Sequence, residues 1–277
     1  MKKKIITGIL TVCIALSLCA CGQKEQVSSG TTELSPQEAR EAIKDKQPTL
    51  SQLLGDGRTL WYHALTRNVT KDGEISAFYI FENKKVTYYR ETGGVTFGDL
   101  DGLSDDEIIK LIDDRAKKVY EEGANNQIAN DESLRDEFKE IITAGTSKYD
   151  EVYLDGMDDN LKTIEECITI LEGMKNYQSP EPVDYQLRLE TDSTGNNTAK
   201  ESITNIYTSV SFGNYLELPK VNTYEETISL VGASGTFTIY NTELTGYVID
   251  ESWVLLTKTD NANTTFLLDA PEDVETD

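Results

Sequence analysis

The stretch TLWYHALTRNVTKDGEISAFYIFENKKVTYYR, residues 59–90, decides the fold, because its apolar residues recur with a period of two. Trp61, His63 and Leu65 would share one face of a strand that begins near Arg58. The residues between them are also apolar, so this first strand has two apolar faces.

Two turn signals divide the rest of the stretch. Asp72-Gly73 precedes a second strand over Ile75–Phe81, and Asn83-Lys84 precedes a third over Val86–Arg90. The pattern therefore predicts a three-stranded antiparallel meander. Because both faces are largely apolar, we expect the sheet to be covered on both sides or closed into a barrel.

The residues after the meander have a helical period. Ser104-Asp105-Asp106-Glu107 forms a capping box, and its acidic residues lie at the positive end of the helix dipole. The pattern predicts that this helix stops at Gly123, that a shorter helix runs from Asp131 to Gly145, and that a third covers residues 158–175.

The remainder of the chain has the short strands and closely spaced turns of an antiparallel region. The predicted strands are Tyr185–Thr191, Ile203–Phe212, Thr227–Val231, Thr236–Tyr240, Tyr247–Ile249, Trp253–Thr257 and Thr265–Leu268. We therefore expect an α+β fold, with a mostly antiparallel β sheet or barrel built from both ends of the chain and a helical insertion in the middle. The alternative is a small amino-terminal α+β domain followed by a separate β-sandwich.

The amino-terminal residues indicate export. Three lysines at 2–4 precede an apolar run over Ile5–Leu18, which is too short to span ~30 Å of hydrocarbon. Leu18-Cys19-Ala20-Cys21 follows, and it resembles the lipobox of bacterial lipoproteins. The resemblance implies that the chain is cleaved before Cys21 and that the Cys21 thiol carries a diacylglyceryl group, whose acyl chains can be palmitate. It also implies a place on the extracellular side of the cell membrane.

These signals divide the chain into a signal peptide (1–20), the lipidated cysteine with a flexible tether (21–34), one ectodomain (35–270) and an acidic tail (271–277). Ser35-Pro36 would start a helix that runs to Lys46. Within the ectodomain we expect the meander over 58–98, the helical insertion over 99–178 and the second β region over 183–270.

The charge of the chain limits its partners. The formal net charge is −23, and residues 99–178 and 179–277 each carry −13. Such a field repels nucleic acid. We expect the membrane as one partner, through the lipid on Cys21, together with a small ligand, a glycan or a basic protein.

Residues for metal or nucleophilic chemistry are scarce. His63 is the only histidine, and Cys167 is the only cysteine after Cys21, so we expect neither a cofactor nor a zinc or iron site. The serine-hydrolase elbow is missing from the sequence as well. Two aspartate clusters, near 99–106 and 155–159, bring together several carboxylates of the kind that bind calcium, but they lack the EF-hand spacing.

Aromatic residues of the meander are the candidate binding residues. We single out Trp61, Tyr62, Tyr79 and Tyr88, which could line the mouth of a barrel that holds an apolar ligand or a sugar. The sequence thus favours a non-enzymatic, surface-anchored lipoprotein that binds a ligand or partner or assists envelope assembly. The alternative is a hydrolase of cell-wall polymer or glycan that uses two carboxylates, which need no short motif.

Overall fold

The computed structural model of the chain describes residues 47–55, 57–214 and 217–271. The expected signal peptide, the lipidated Cys21 with its tether, the helix over 35–46 and most of the acidic tail lie outside these residues. Ten strands of the described chain form one antiparallel sheet. They are β1 (Thr59–Leu65), β2 (Ala77–Glu82), β3 (Lys85–Tyr89), β4 (Val183–Thr191), β5 (Thr198–Ser211), β6 (Lys220–Leu230), β7 (Gly232–Ala233), β8 (Phe237–Ile239), β9 (Thr242–Val248) and β10 (Trp253–Thr259).

The strand order confirms the expected fold class. The strands lie side by side as β6-β5-β4-β3-β2-β1-β10-β9-β7, with β8 also paired to β9. The predicted meander β1–β3 is therefore flanked on both sides by strands from the carboxyl-terminal half of the chain. Within the described residues, three α-helices accompany the sheet: α1 (Leu50–Gly55), α2 (Asp105–Ala144) and α3 (Glu151–Met174). The last two form the helical insertion between β3 and β4.

One stretch of chain joins the two edges of the sheet. Leu230, the last residue of β6, is paired with Glu201 of β5. The next residue, Val231, donates its N–H to Val248 at the end of β9, and β7 continues that pairing. Because consecutive residues are bonded to opposite edges, the sheet closes on itself into a barrel.

The inner face of the barrel is packed with large side chains. Trp61, Tyr79, Phe81, Tyr247 and Leu255 belong to one buried cluster, and each is 0% exposed. The side chains of Leu50 and Leu54 from α1 and of Phe266 complete this cluster. The inner core thus combines residues from both halves of the chain, as expected for a single sheet rather than two domains.

Residues 264–271, which we call the strap, cover one end of the barrel. The N–H of Leu267 bonds the carbonyl of Pro48, and the hydroxyl of Tyr247 bonds the carbonyl of Leu267. Asp269 accepts hydrogen bonds from both the N–H and the hydroxyl of Ser51, in the first turn of α1. Only Leu267 makes a β-bridge, so the strand predicted over Thr265–Leu268 is instead an irregular segment.

The outer face of the meander carries a second core under the start of α2. Tyr62, Phe78 and Leu256 pack there against Ile108 and Ile112 of the helix. The capping box predicted at Ser104 is present, with the Glu107 carboxylate 2.8 Å from the Ser104 N–H. Tyr89 and Tyr177 both donate hydrogen bonds to Asp113, which fixes α2 to β3.

The prediction that Gly123 ends the first helix is wrong. Helix α2 continues for 40 residues, through both predicted helices, to Ala144. A Cβ on Gly123 would lie 2.8 Å from the ring of Phe212, so this position serves close packing of the helix against the end of β5. Likewise α3 begins at Glu151 rather than near residue 158. No described helix is long and apolar enough to cross a membrane.

A pair of buried carboxyl groups, Asp269 of the strap and Glu201 of β5, makes the stability of the fold depend on pH. Glu201 and Asp269 are each 1% exposed, and a Glu201 carboxyl oxygen accepts the Asp269 N–H at 3.1 Å. Burial, followed by the neighbouring Asp269, raises the pKa of Glu201 from its ordinary 4.5 to about 8. The folded chain therefore binds the Glu201 proton more tightly than the unfolded chain does.

We expect the free energy of unfolding to decrease as pH rises from about 5 to 8, because ionising Glu201 costs more in the folded state. The contribution of this group is present below its unfolded pKa and lost above its folded pKa. Urea titrations at pH 5 and pH 8 would measure the difference in the free energy of unfolding between the two pH values. Glu201→Gln should reduce this difference by a few kcal/mol. Glu225→Gln, at an exposed position of β6, should leave the difference unchanged. An equal pH response in the chain and in Glu201→Gln would contradict the assignment.

Candidate functional site

Six rings form a continuous row across six strands on the inner face of the barrel. Neighbouring ring centroids are 4.7, 6.5, 4.7, 4.8 and 5.5 Å apart in the order Trp253, His63, Tyr79, Tyr88, Tyr207 and Tyr224. We call these six side chains the aromatic row. Such spacings are those of interacting aromatic rings.

The register of the strands places the aromatic row at one end of the barrel. On β5 the inward-facing residues run in the order Glu201, Ile203, Asn205 and Tyr207, because alternate residues of a strand share a face. Glu201 contacts the strap, whereas Tyr207 belongs to the aromatic row. Six residues of extended strand separate them by roughly 20 Å. The strap and the aromatic row therefore occupy opposite ends of the barrel.

The aromatic row leads from the core to solvent. Tyr79, near its middle, is fully buried, and Tyr88 is nearly so. His63, Tyr207 and Trp253 are half-buried. Tyr224, at the end of the row, is 45% exposed and stacks on Tyr207. An exposed ring that is held by a stacked neighbour offers a prepared flat surface for a ligand.

Charged groups accompany the exposed part of the row. Arg90 donates a hydrogen bond of 3.0 Å to the Tyr207 hydroxyl, and this bond raises the pKa of Arg90. The negative field of Glu226 acts on Tyr79, Tyr88 and Arg90, and adds to the burial that raises the pKa of both tyrosines. One cation and one anion thus lie beside the aromatic rings.

Asn205 lies beneath the aromatic row, directly across from Glu226 in the register of β5 and β6. Its side chain is 1% exposed, and within the described chain neither its amide nitrogen nor its amide oxygen has a hydrogen-bond partner. An unpaired buried amide costs ~1–3 kcal/mol. Several other buried side chains of the described chain, among them Thr245 and Glu201, each leave one polar atom without a partner, but Asn205 leaves both of its polar atoms so.

The single histidine belongs to this row rather than to a metal site. Burial lowers the pKa of His63 to about 4, and the nearby Asp250 only partly opposes this effect. The imidazole is therefore neutral at pH 7. Within the described residues, no group of three or more histidine, cysteine, aspartate or glutamate side chains is arranged to hold a metal ion.

The aspartates near 99–106 and 155–159, which the sequence offered as calcium ligands, make other contacts in the structure. Asp99 accepts the N–H of Thr96 in a capping box, and Asp106 pairs with Arg58 at 2.5 Å. Asp158 and Asp159 both pair with Lys162. These contacts are helix caps and surface ion pairs.

The structure does not bring all four sequence-predicted binding residues together. Tyr79 and Tyr88 are members of the aromatic row. Trp61 lies deeper on the same inner face, stacked on Tyr247 at 5.9 Å. Tyr62 points to the outer face, where it lines a crevice with Phe97, Leu100 and Lys258. That crevice has a volume of about 20 Å³, which is room for about one water molecule.

Sequence reasoning missed four of the six rings, because His63, Tyr207, Tyr224 and Trp253 were not among the predicted binding residues. Tyr207, Tyr224 and Trp253 lie far along the chain from the meander and reach it through the pairing of β4 and β10 with its two edges. Their inward orientation was readable from the alternation in each strand. The strand register that brings Tyr207 beside Tyr88, and Trp253 beside His63, could not be read from the sequence.

Cys167 lies on the inward side of α3 and is fully buried. Its thiol contacts the backbone carbonyl of Asn214 at 3.4 Å, and burial raises its pKa. A thiol with a raised pKa is a poor nucleophile at pH 7. Cys167 therefore packs the helices against the end of the β5–β6 hairpin.

Comparison of the chain with protein-family models, with curated proteins and with solved structures finds no match.

The unpartnered amide yields a test of the site. Leucine has nearly the shape of asparagine, so Asn205→Leu removes two unpaired polar atoms from an apolar environment. We expect this change to raise the free energy of unfolding by ~1–3 kcal/mol in urea titrations at pH 6. Such a gain on replacing a residue is characteristic of a position kept for function.

Ser202, also on β5, is the matched control. It is 7% exposed, and its hydroxyl lies 3.2 Å from that of Ser229, so this group is partnered. Ser202→Ala should lower the free energy of unfolding or leave it unchanged. If Asn205→Leu destabilises the chain as much as Ser202→Ala does, the Asn205 amide is satisfied and is not available to a ligand.

Proposed function

We propose that this protein is a surface-anchored lipoprotein that binds a ligand at the aromatic-row end of its barrel and catalyses no reaction on it. The single observation that carries the binding role is the row itself: stacked rings that pass from a buried floor to an exposed edge beside Arg90, Glu226 and Asn205. Binding sites for small molecules commonly combine aromatic walls with a few polar groups.

The anchoring role rests on the lipobox-like residues 18–21. A diacylglyceryl group on Cys21 would supply two acyl chains, and two chains hold a protein durably where one does not. The proposed location is the extracellular side of the cell membrane.

The buried carboxyl pair of Glu201 and Asp269 is not arranged like the two catalytic carboxyls of a glycoside hydrolase. Glu201 and Asp269 are in contact, whereas the two carboxyls of a glycoside hydrolase flank a substrate at ~5–10 Å. Both are buried beneath the strap, and Asp269 is bonded to Ser51. We therefore assign this pair to holding the strap.

Cys21→Ala tests the anchor. The variant lacks the thiol that would carry the lipid, so we expect it to leave the membrane fraction and appear in the medium. Fractionation and immunoblotting of producing cells would measure the change. Cys167→Ala is the matched control and should remain with the membranes, because that thiol is buried in the fold. Membrane retention of Cys21→Ala would contradict the lipoprotein assignment.

Thermal unfolding with a panel of probes tests the binding role. Calcium, cell-wall fragments, neutral oligosaccharides and fatty acids would each be added to the full chain in detergent. A ligand at 100 times its dissociation constant contributes ~2.7 kcal/mol, which raises the midpoint by several degrees. We expect at least one organic probe to raise the midpoint.

The two tryptophans locate the bound probe. Trp61 is fully buried in the barrel, whereas Trp253 is half-buried at the end of the aromatic row. A probe bound beside Trp253 should change the tryptophan fluorescence of the chain. The change should be absent in Trp253→Phe, which retains only Trp61. Binding that leaves Trp253 emission unchanged would place the ligand elsewhere and contradict the proposed site.

A further inference from the structure

We propose that the ligand of the aromatic row is an uncharged saccharide. This inference rests on the proposed function, because it names the ligand class of the same site. It follows from the exposed ring, the polar groups beside it, the charge of the chain and the filled interior below the row.

The exposed ring of Tyr224 suits a sugar ring. A pyranose presents an apolar face of C–H groups, which packs well on a flat aromatic surface. Tyr224 is 45% exposed, and its ring is stacked on Tyr207 at 5.5 Å with an interplanar angle of 26°. Tyr207 is held in turn by Arg90. The platform is therefore fixed before a ligand arrives, which reduces the entropy lost on binding.

The polar groups near the platform suit the hydroxyls of a sugar. A hydroxyl is both donor and acceptor, and so is the primary amide of Asn205, whose two polar atoms have no partner in the described chain. Arg90 adds donors, and Glu226, which faces Asn205 across the strand pair, adds acceptors. A site built to pair with hydroxyls discriminates strongly against analogues that lack them.

The packing of the barrel disfavours a lipid or fatty acid at this end. An acyl chain needs an apolar channel that continues below the entrance. Beneath the row the interior is filled by Trp61, Phe81 and Leu255, each fully buried. The structure thus offers a surface for a ring rather than a tunnel for a chain.

The charge of the protein disfavours an anionic sugar. The net charge is −23, and Glu226 lies among the groups that would contact the ligand. A uronic acid or phosphorylated sugar would meet this repulsion, which the single Arg90 does not offset. A saccharide without charge avoids it.

The test is a titration of the full chain in detergent with three kinds of probe. Cello- and chito-oligosaccharides are the neutral saccharides, oligogalacturonate is the anionic saccharide, and a fatty acid represents lipids. Calorimetry would give the affinity of the chain and of its variants for each probe. We expect the neutral oligosaccharides to bind, and oligogalacturonate to bind at least tenfold more weakly.

Variants connect this binding to the row. Tyr224→Ala should weaken the neutral oligosaccharide about tenfold, because stacking on the exposed ring is lost. Tyr153→Ala is the matched control, since Tyr153 is 41% exposed on α3 and also stacks on a tyrosine, Tyr149, at 5.3 Å. Asn205→Leu should abolish binding while the protein remains folded, so that the loss cannot arise from unfolding.

The outcomes separate the two proposals. Binding of the fatty acid or oligogalacturonate that Tyr224→Ala weakens, without binding of neutral oligosaccharides, would overturn the saccharide class and keep the proposed site. Equal affinities of Tyr224→Ala and Tyr153→Ala for a neutral oligosaccharide would overturn its placement on the row. Failure of every probe to bind, or binding that neither Tyr224→Ala nor Trp253→Phe changes, would overturn both proposals.

Discussion

The bond from the Val231 N–H to the carbonyl of Val248 is the contact on which the rest of the structure depends. The preceding residue is paired with β5, so a single step along the chain joins the two edges of the sheet. Closure converts a curved sheet, whose edge strands would be open to pairing with other chains, into a barrel with an inside and two ends. The pairing of β3 with β4, β4 with β5 and β5 with β6 places Tyr207 and Tyr224 near Tyr88, and closure turns these side chains toward the inside of a barrel.

The two ends of this barrel differ in chemistry because different side chains close them. At the strap end, Asp269 is paired with Ser51 and the Tyr247 hydroxyl with the carbonyl of Leu267, whereas one carboxyl oxygen of Glu201 is buried without a partner in the described chain. At the aromatic-row end, the Asn205 amide is buried without a partner in the described chain. Natural folds satisfy nearly all buried polar groups. The row end differs in that both polar atoms of Asn205 lack a partner and an exposed ring, Tyr224, lies on the same face of the sheet, and this combination is the reason that we propose a ligand there.

The sequence predicted what local patterns control. The two-residue period over 59–90 gave the meander, and its two apolar faces indicated cover on both sides, which the helical insertion and the closed barrel supply. Long-range packing was not readable. Gly123 has the usual signature of a helix end, yet the Phe212 ring across from it accounts for the missing side chain. Half of the aromatic row escaped notice for the same reason, since register between distant strands leaves no local signal.

The course of the chain relates the proposed site to the proposed anchor. The described chain begins at residue 47, and Pro48 and Thr49 are bonded to the strap through Leu267. The segment that carries Cys21 therefore joins the barrel at its strap end. On β5 the aromatic row lies roughly 20 Å from that end. A lipid on Cys21 would thus attach the protein through the strap end. The end with the exposed ring and the unpaired amide is the one farther from this attachment, as a site for ligands approaching from outside the membrane requires.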